Sequence, residues 1–144
     1  MTQYVTIGVT DIVAASNFYD VIFSPLNWRR WFGTSKMQFY SDGKDGIIAI
    51  CLPENGGPMS AGHGTMFGLS AESNEIVGQE HAAALAWGGA DEGAPGYRVP
   101  AMYIAYFRDL DGNKLAVYHL KSAAAFADYA VKHYGAIGGE AFNR

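Results

Sequence analysis

The sequence predicts an α+β chain: two successive β-α-β-β-β modules, about residues 3–52 and 62–120, followed by a C-terminal helix. Three observations predict it. The order strand, helix, three strands can be read twice along the chain. A Gly- and Pro-rich connector, residues 53–62, separates the two readings, and the second ends in a tight hairpin at Asp109-Leu-Asp-Gly. The repeat is one of pattern, not of residue identity between the halves.

In the first module Val5, Ile7 and Val9 alternate with Tyr4, Thr6 and Gly8, the period of a half-buried strand. Asp11 can accept hydrogen bonds from the first amides of a helix. Its apolar residues Ile12, Ala15, Phe18, Tyr19 and Ile22 fall at helical spacing, and it ends near Pro25. Residues 28–32, 37–40 and 47–52 read as strands, with turn signals at Gly33-Thr-Ser and Ser41-Asp-Gly between them. The second module restarts with a strand over 64–69 and an Ala-rich helix from about Ser73 to Trp87. A loop over 88–96 leads to a short strand near Tyr97-Arg98-Val99.

The closing hairpin is the most detailed expectation. Asp109-Leu-Asp-Gly suits a type I turn with Gly112 in the left-handed conformation, where it has no side chain to clash, and with the Asp109 carboxylate accepting turn amides. The flanking strands, 103–108 and 114–119, then place Tyr106 opposite Ala116 and Phe107 opposite Leu115. Ala105, Phe107, Leu115 and Val117 share one face; Ile104, Tyr106, Ala116 and Tyr118 share the other. A calcium loop starting at Asp109 would need Gly at its sixth position and Glu at its twelfth, where Lys114 and Leu120 stand.

Composition narrows the function. At 144 residues the chain is long enough for one domain with a real core, and its net charge of −4, with no basic cluster, argues against nucleic acid and anionic membranes. No signal peptide and no apolar run long enough to span a bilayer is read. A lone Cys51 excludes an intrachain disulfide, fits a reducing cytoplasm, and reads as a small apolar strand residue rather than a reactive thiol. Nine Tyr, eight Phe and three Trp exceed what a core this size needs, leaving aromatic surface for a ligand or partner. The serines lack a His and acid arrangement, and no Gly-x-Ser-x-Gly elbow is present. Gly62-His-Gly is no phosphate cradle, because a strand follows it and no helix opens there. Asp91, Glu92 and Glu54 read as loop carboxylates, so no catalytic residue is assigned.

The module order together with three segments resembles the vicinal oxygen chelate superfamily, the glyoxalase, bleomycin-resistance and extradiol-dioxygenase group. The segments are Tyr4-Val-Thr-Ile-Gly-Val-Thr-Asp with Phe18-Tyr19, Gly62-His-Gly-Thr-Met-Phe-Gly-Leu, and Tyr106-Phe-Arg-Asp-Leu-Asp-Gly-Asn-Lys-Leu. A fourth, His81-Ala-Ala-Ala-Leu-Ala-Trp-Gly-Gly with Asp91-Glu-Gly-Ala-Pro-Gly, is similar to a bacterial glyoxalase-like subgroup. The resemblance implies curved mixed sheets enclosing a cavity, in a domain covering residues 1–121, and a homodimer that builds each cavity from one module of each chain. It also implies a divalent cation held by His, Gln or Glu from the first strand, the strand opening the second module and the last strand.

Here those three positions fall on Tyr4, Met66 and Ala116. Met is too soft for hard cations and Ala has no donor, so the usual chelate is expected to be lost and no metal is assigned. His63, His81, His119 and His133 are scattered over different elements, His81 as a helix residue bonding a neighbouring loop and His119 on the core side of the last strand. By parity the cavity face holds Tyr4, Thr6, Gly8, Met66, Gly68, Ile104, Tyr106, Ala116 and Tyr118, an apolar lining with a few hydroxyls that suits a small, partly aromatic ligand. Two further readings stand beside a metal-free binder. One is a glyoxalase-like lyase or dioxygenase-type enzyme using Ni, Zn, Mn or Fe at an unusual site; the other is a dimer without a ligand. Residues 122–144 lie outside the resemblance. Ser122 can cap a helix over 123–134 that braces the sheet or the partner chain, and a loosely ordered tail follows.

Overall fold

Two four-stranded sheets share one set of packed helices. The structure, a computed structural model, describes residues 3–135. The first sheet has the order β1-β4-β3-β2, from β1 (Gln3–Gly8), β2 (Arg29–Gly33), β3 (Met37–Ser41) and β4 (Gly46–Cys51). The second has the equivalent order β5-β8-β7-β6, from β5 (Phe67–Ser70), β6 (Ala90–Val99), β7 (Met102–Arg108) and β8 (Lys114–Leu120). In each, the first strand pairs in parallel with the last and the remaining pairs are antiparallel. The predicted duplication is therefore present in strand order as well as in sequence pattern.

Helices α1 (Ile12–Phe23) and α2 (Asn74–Ala86) cover one face of the sheets. Asp11 caps α1 by accepting from the amides of Val13 and Ala14 at 2.9 and 3.0 Å, and Ser73 caps α2 through Ile76. Ala15, Phe18, Tyr19, Ile22 and Phe23 form the buried stripe of α1 and meet Ile7, Ile48 and Ile50 from the first sheet. Phe18 also stands edge-on to Phe107 of β7, with ring centroids 6.5 Å apart, so a single core joins both modules. Each such fully buried side chain contributes roughly 1.5–3 kcal/mol of transfer free energy.

The closing turn forms as its residues dictate, with Gly112 at φ 87° and Tyr106 paired with Ala116, Phe107 with Leu115. It also reaches across the molecule. Asn113 Nδ2 donates to the Gly8 carbonyl at 2.8 Å, and the Thr10 hydroxyl donates to the Asp111 carboxylate at 2.5 Å. A motif read as local therefore clasps the end of β1 and the start of α1.

Three elements differ from expectation. The strand expected over 64–69 begins only at Phe67, leaving Met66 in the preceding irregular segment. The loop expected over 88–96 is mostly strand: β6 runs ten residues, with its register against β7 shifting three times. Gly93, Pro95 and Gly96 read as loop because they disfavour regular pairing. On an edge strand with bulges, Pro95 forfeits no ladder bond and Gly93 lets the chain close on Tyr106, whose Cδ2 would lie 2.9 Å from an added Cβ. Third, α3 (Ala123–Tyr134) forms with Ser122 as its cap but buries none of its residues within the chain, so of the two supports expected, the sheet and the partner chain, it does not use the sheet. The tail over 136–144, expected to be loosely ordered, lies outside the described residues.

The turn between β6 and β7 places Ala101 at φ 69°. Left-handed backbone costs an L-residue about 1–2 kcal/mol, against roughly 0.5–1 kcal/mol of chain entropy for glycine. Ala101→Gly is accordingly expected to stabilise the fold by about 0.5–1 kcal/mol, read as a higher urea midpoint. A lower midpoint would show that the turn carries no strain.

Candidate functional site

Because α1 and α2 take one face of each sheet, the other face is left open, and strand register decides what stands on it. On the second sheet Gly68, Ala116 and Tyr106 form one row across β5, β8 and β7, and Ser70, Tyr118 and Ile104 form the next. Ala116 is 1% exposed, because its small side chain lies in a row flanked by larger ones. Tyr118 lies over Gly68, 3.4 Å from where a Cβ would be. On the first sheet Tyr4, Thr6 and Gly8 share the open face with Ala49 and Cys51. Tyr4 is 65% exposed and Met66 47%.

The connector over 53–66 flanks both open faces and gives each a cleft. The first, about 640 Å³, holds Thr6, Gly8, Met37, Cys51 and Met59. Burial pushes the Cys51 thiol above its usual range, so it stands here as a neutral, weakly polar group. The second cleft, about 670 Å³, holds Met66, Ser60, His63 and Thr65 with Arg108 and Lys114. Gly68, Ile104, Tyr106, Ala116 and Tyr118 belong to the open face but line neither cleft within one chain, and Tyr4 stands apart at the edge of the other sheet.

Charged residues on the second sheet's open face went unassigned in the sequence reading. Lys114 Nζ lies 5.2 Å and Arg98 Cζ 5.7 Å from the centre of the Tyr106 ring. Arg108 Nε donates to Glu92 at 2.6 Å and Lys114 Nζ stands 3.9 Å from the same carboxylate. The Arg108 hydrogen bond holds the Glu92 carboxyl below its usual range. Glu92 is thus a paired strand residue, not a free loop carboxylate. Arg108 and Lys114 have the parity of Tyr106 and Ala116 and could have been placed here from sequence; the bulges of β6 hid Glu92 and Arg98.

The histidines fall elsewhere. His81 Nε2 pairs with Asp91 Oδ1 at 2.9 Å, so its partner is strand β6 rather than a loop, and the bond holds the Asp91 carboxyl low. His119 is on the helix-covered side, as parity indicated, bonded to Asn74 at 2.8 Å. Among the described residues no group of three or more His, Cys, Asp or Glu side chains is placed to hold a metal ion.

No protein-family model and no curated protein matches the chain. Solved structures do. A glyoxalase/bleomycin resistance protein from Albidiferax ferrireducens is 36% identical, with a TM-score of 0.75, over 81% of this chain and 96% of that one. At lower identity the fold alone is shared. A lactoylglutathione lyase from Agrobacterium tumefaciens is 20% identical with a TM-score of 0.61, over 84% of this chain and 94% of that one. A genomically encoded fosfomycin resistance protein from Listeria monocytogenes is 20% identical with a TM-score of 0.60, over 83% and 92%.

Proposed function

The chain belongs to the glyoxalase/bleomycin resistance protein/dioxygenase family, and from that premise we propose that it is a metal-free member binding a small, partly aromatic molecule. The observation that carries the proposal is the uncovered face of the two sheets. It presents exposed Tyr4 and Met66 and half-buried Tyr106 and Tyr118 beside two clefts, where a soluble fold without a ligand or partner would be expected to cover or trim such apolar surface. In this reading a second copy of the chain covers the open faces, bringing Tyr4 and Thr6 of one chain toward the Gly68–Ala116–Tyr106 row of the other.

The donor chemistry supports the metal-free half. Tyr4, Met66 and Ala116 do not fit a divalent cation: a thioether is too soft, and the buried Ala116 methyl supplies no donor at its position. No step through a metal follows from these residues. Bound ligand would be held by aromatic faces, by the Tyr and Thr hydroxyls, and by exclusion of water in the dimer.

Protein prepared without a metal-affinity column is expected to contain only substoichiometric metal. A thermal-shift screen of small aromatic compounds is expected to raise the melting midpoint, the folded state gaining RT ln(1 + [L]/Kd) of free energy, with Tyr106→Ala and Tyr118→Ala weakening the effect. Stoichiometric, tightly held Ni, Zn, Mn or Fe would overturn the metal-free half and favour the lyase or dioxygenase alternative. A blank screen would overturn ligand binding.

A further inference from the structure

We infer that the cationic patch beside the second cleft is an anion site, taking the carboxylate or phosphoryl group of the bound molecule among Arg98, Arg108 and Lys114; this rests on the ligand-binding reading above. Three cations converge on one patch, two of them within 6 Å of the Tyr106 ring centre and two on the Glu92 carboxylate. Glu92 neutralises one charge. Among the described residues Arg98 forms no ion pair, and its Nη2 donates only to the Ala94 carbonyl, at 2.7 Å. With Asp91 close enough for its charge to act on Glu92, the patch still keeps an excess of one positive charge in a chain whose net charge is −4.

Like charges repel, so such an excess works against the fold unless an anion offsets it. The setting favours an anion that enters from the cleft. Arg108 and Lys114 side chains are about one-third exposed, reachable by a solute but less screened than free surface charges. Ser60, His63 and Thr65 of the connector line the same cleft and can supply further donors. The Tyr106 ring stands within cation–π distance of Lys114 and Arg98, which reduces the side-chain freedom they lose on binding.

The test titrates the full-length protein with inorganic phosphate, phenyl phosphate, benzoate and neutral benzamide, at low and at physiological ionic strength. Phenyl phosphate and benzoate are expected to bind about tenfold or more tighter than benzamide, one charge-assisted contact's worth, and to weaken with salt. Lys114→Gln and Arg98→Gln are each expected to weaken benzoate about tenfold, and Glu92→Gln to strengthen it several-fold by releasing Arg108 and Lys114. Benzamide should be indifferent to all three. Tighter binding on removing a carboxylate is an outcome that a structural role for Glu92 would not produce. Equal affinity for benzoate and benzamide, or weaker benzoate binding in Glu92→Gln, would overturn the anion site while leaving ligand binding intact. No binding by any of these probes, together with a blank aromatic screen, would overturn both.

Discussion

Asp109→Ala is expected to cost the fold about 3–5 kcal/mol, the range for stripping one partner from a buried, charge-assisted network. Asp109 is buried and its carboxylate accepts four hydrogen bonds. Oδ1 takes the amides of Asp111 and Asn113, each at 2.9 Å, and Oδ2 takes Asn113 Nδ2 at 2.8 Å and the Tyr19 hydroxyl at 2.7 Å. Two of these close the hairpin turn. The Tyr19 bond ties that turn to α1, ninety residues away, and Asn113 passes the connection on to Gly8. Burial first, then the Asp109 charge, pushes the Tyr19 hydroxyl well above its ordinary range, so it remains a donor throughout the working pH range. Alanine would leave the Tyr19 hydroxyl, the Asn113 backbone amide and one of the two Asn113 Nδ2 hydrogens without their acceptor. Asp109→Asn should cost less, since one amide oxygen still accepts, but its NH2 faces that of Asn113. Urea melts of both variants, with Tyr19→Phe and the Asp109→Asn double variant, measure the coupling. A loss under about 1 kcal/mol for Asp109→Ala would mean that the turn does not join the modules.

The second large effect is a stability that falls as pH rises, and it traces to Glu80. This α2 residue is 0% exposed, on the stripe of Val77 and Ala84, and among the described residues neither carboxyl oxygen has a hydrogen-bond partner. Burial alone pushes its carboxyl up to about 8. The folded chain therefore holds this proton more tightly than the unfolded chain does. That contribution to stability is complete below the ordinary carboxyl value near 4.5, and it is lost progressively as pH climbs from there through about 8. Across the window the loss is on the order of 4 kcal/mol. Glu80→Gln removes the titration and keeps the buried polarity; Glu80→Met removes both. The advantage of Glu80→Met over the parent is expected to grow by about 3–4 kcal/mol between pH 5 and 8, with both variants flatter in pH than the parent. Parallel pH profiles for parent and Glu80→Gln would show that Glu80 is ionised and solvated in the folded protein.

How much of this was legible beforehand depends on the distance over which each feature is decided. The α1 cap at Asp11, the helix stripes and the Asp109–Asn113 hairpin rest on neighbours within one turn of chain. They read directly, down to the pairing of Tyr106 with Ala116. Parity then put Gly68, Ile104, Tyr106, Ala116 and Tyr118 on one face, because a strand alternates sides whatever it packs against. Strand β6 did not read, since bulges break that alternation and its glycines and proline are tolerated only because the strand is an edge.

The sequence by itself determined the doubled module and the residue types that stand at Tyr4, Met66 and Ala116, and it carried the resemblance to the family, all consequences of residue type and local period. Only the tertiary structure decided which distant groups meet. It aimed Tyr19 at Asp109, buried Glu80 beneath α2 without a hydrogen-bond partner among the described residues, and gathered Arg98, Arg108 and Lys114 around Tyr106 and Glu92. The physical reason is that desolvation and Coulomb energy depend on spatial neighbours, and these come from strands and helices far apart in the chain.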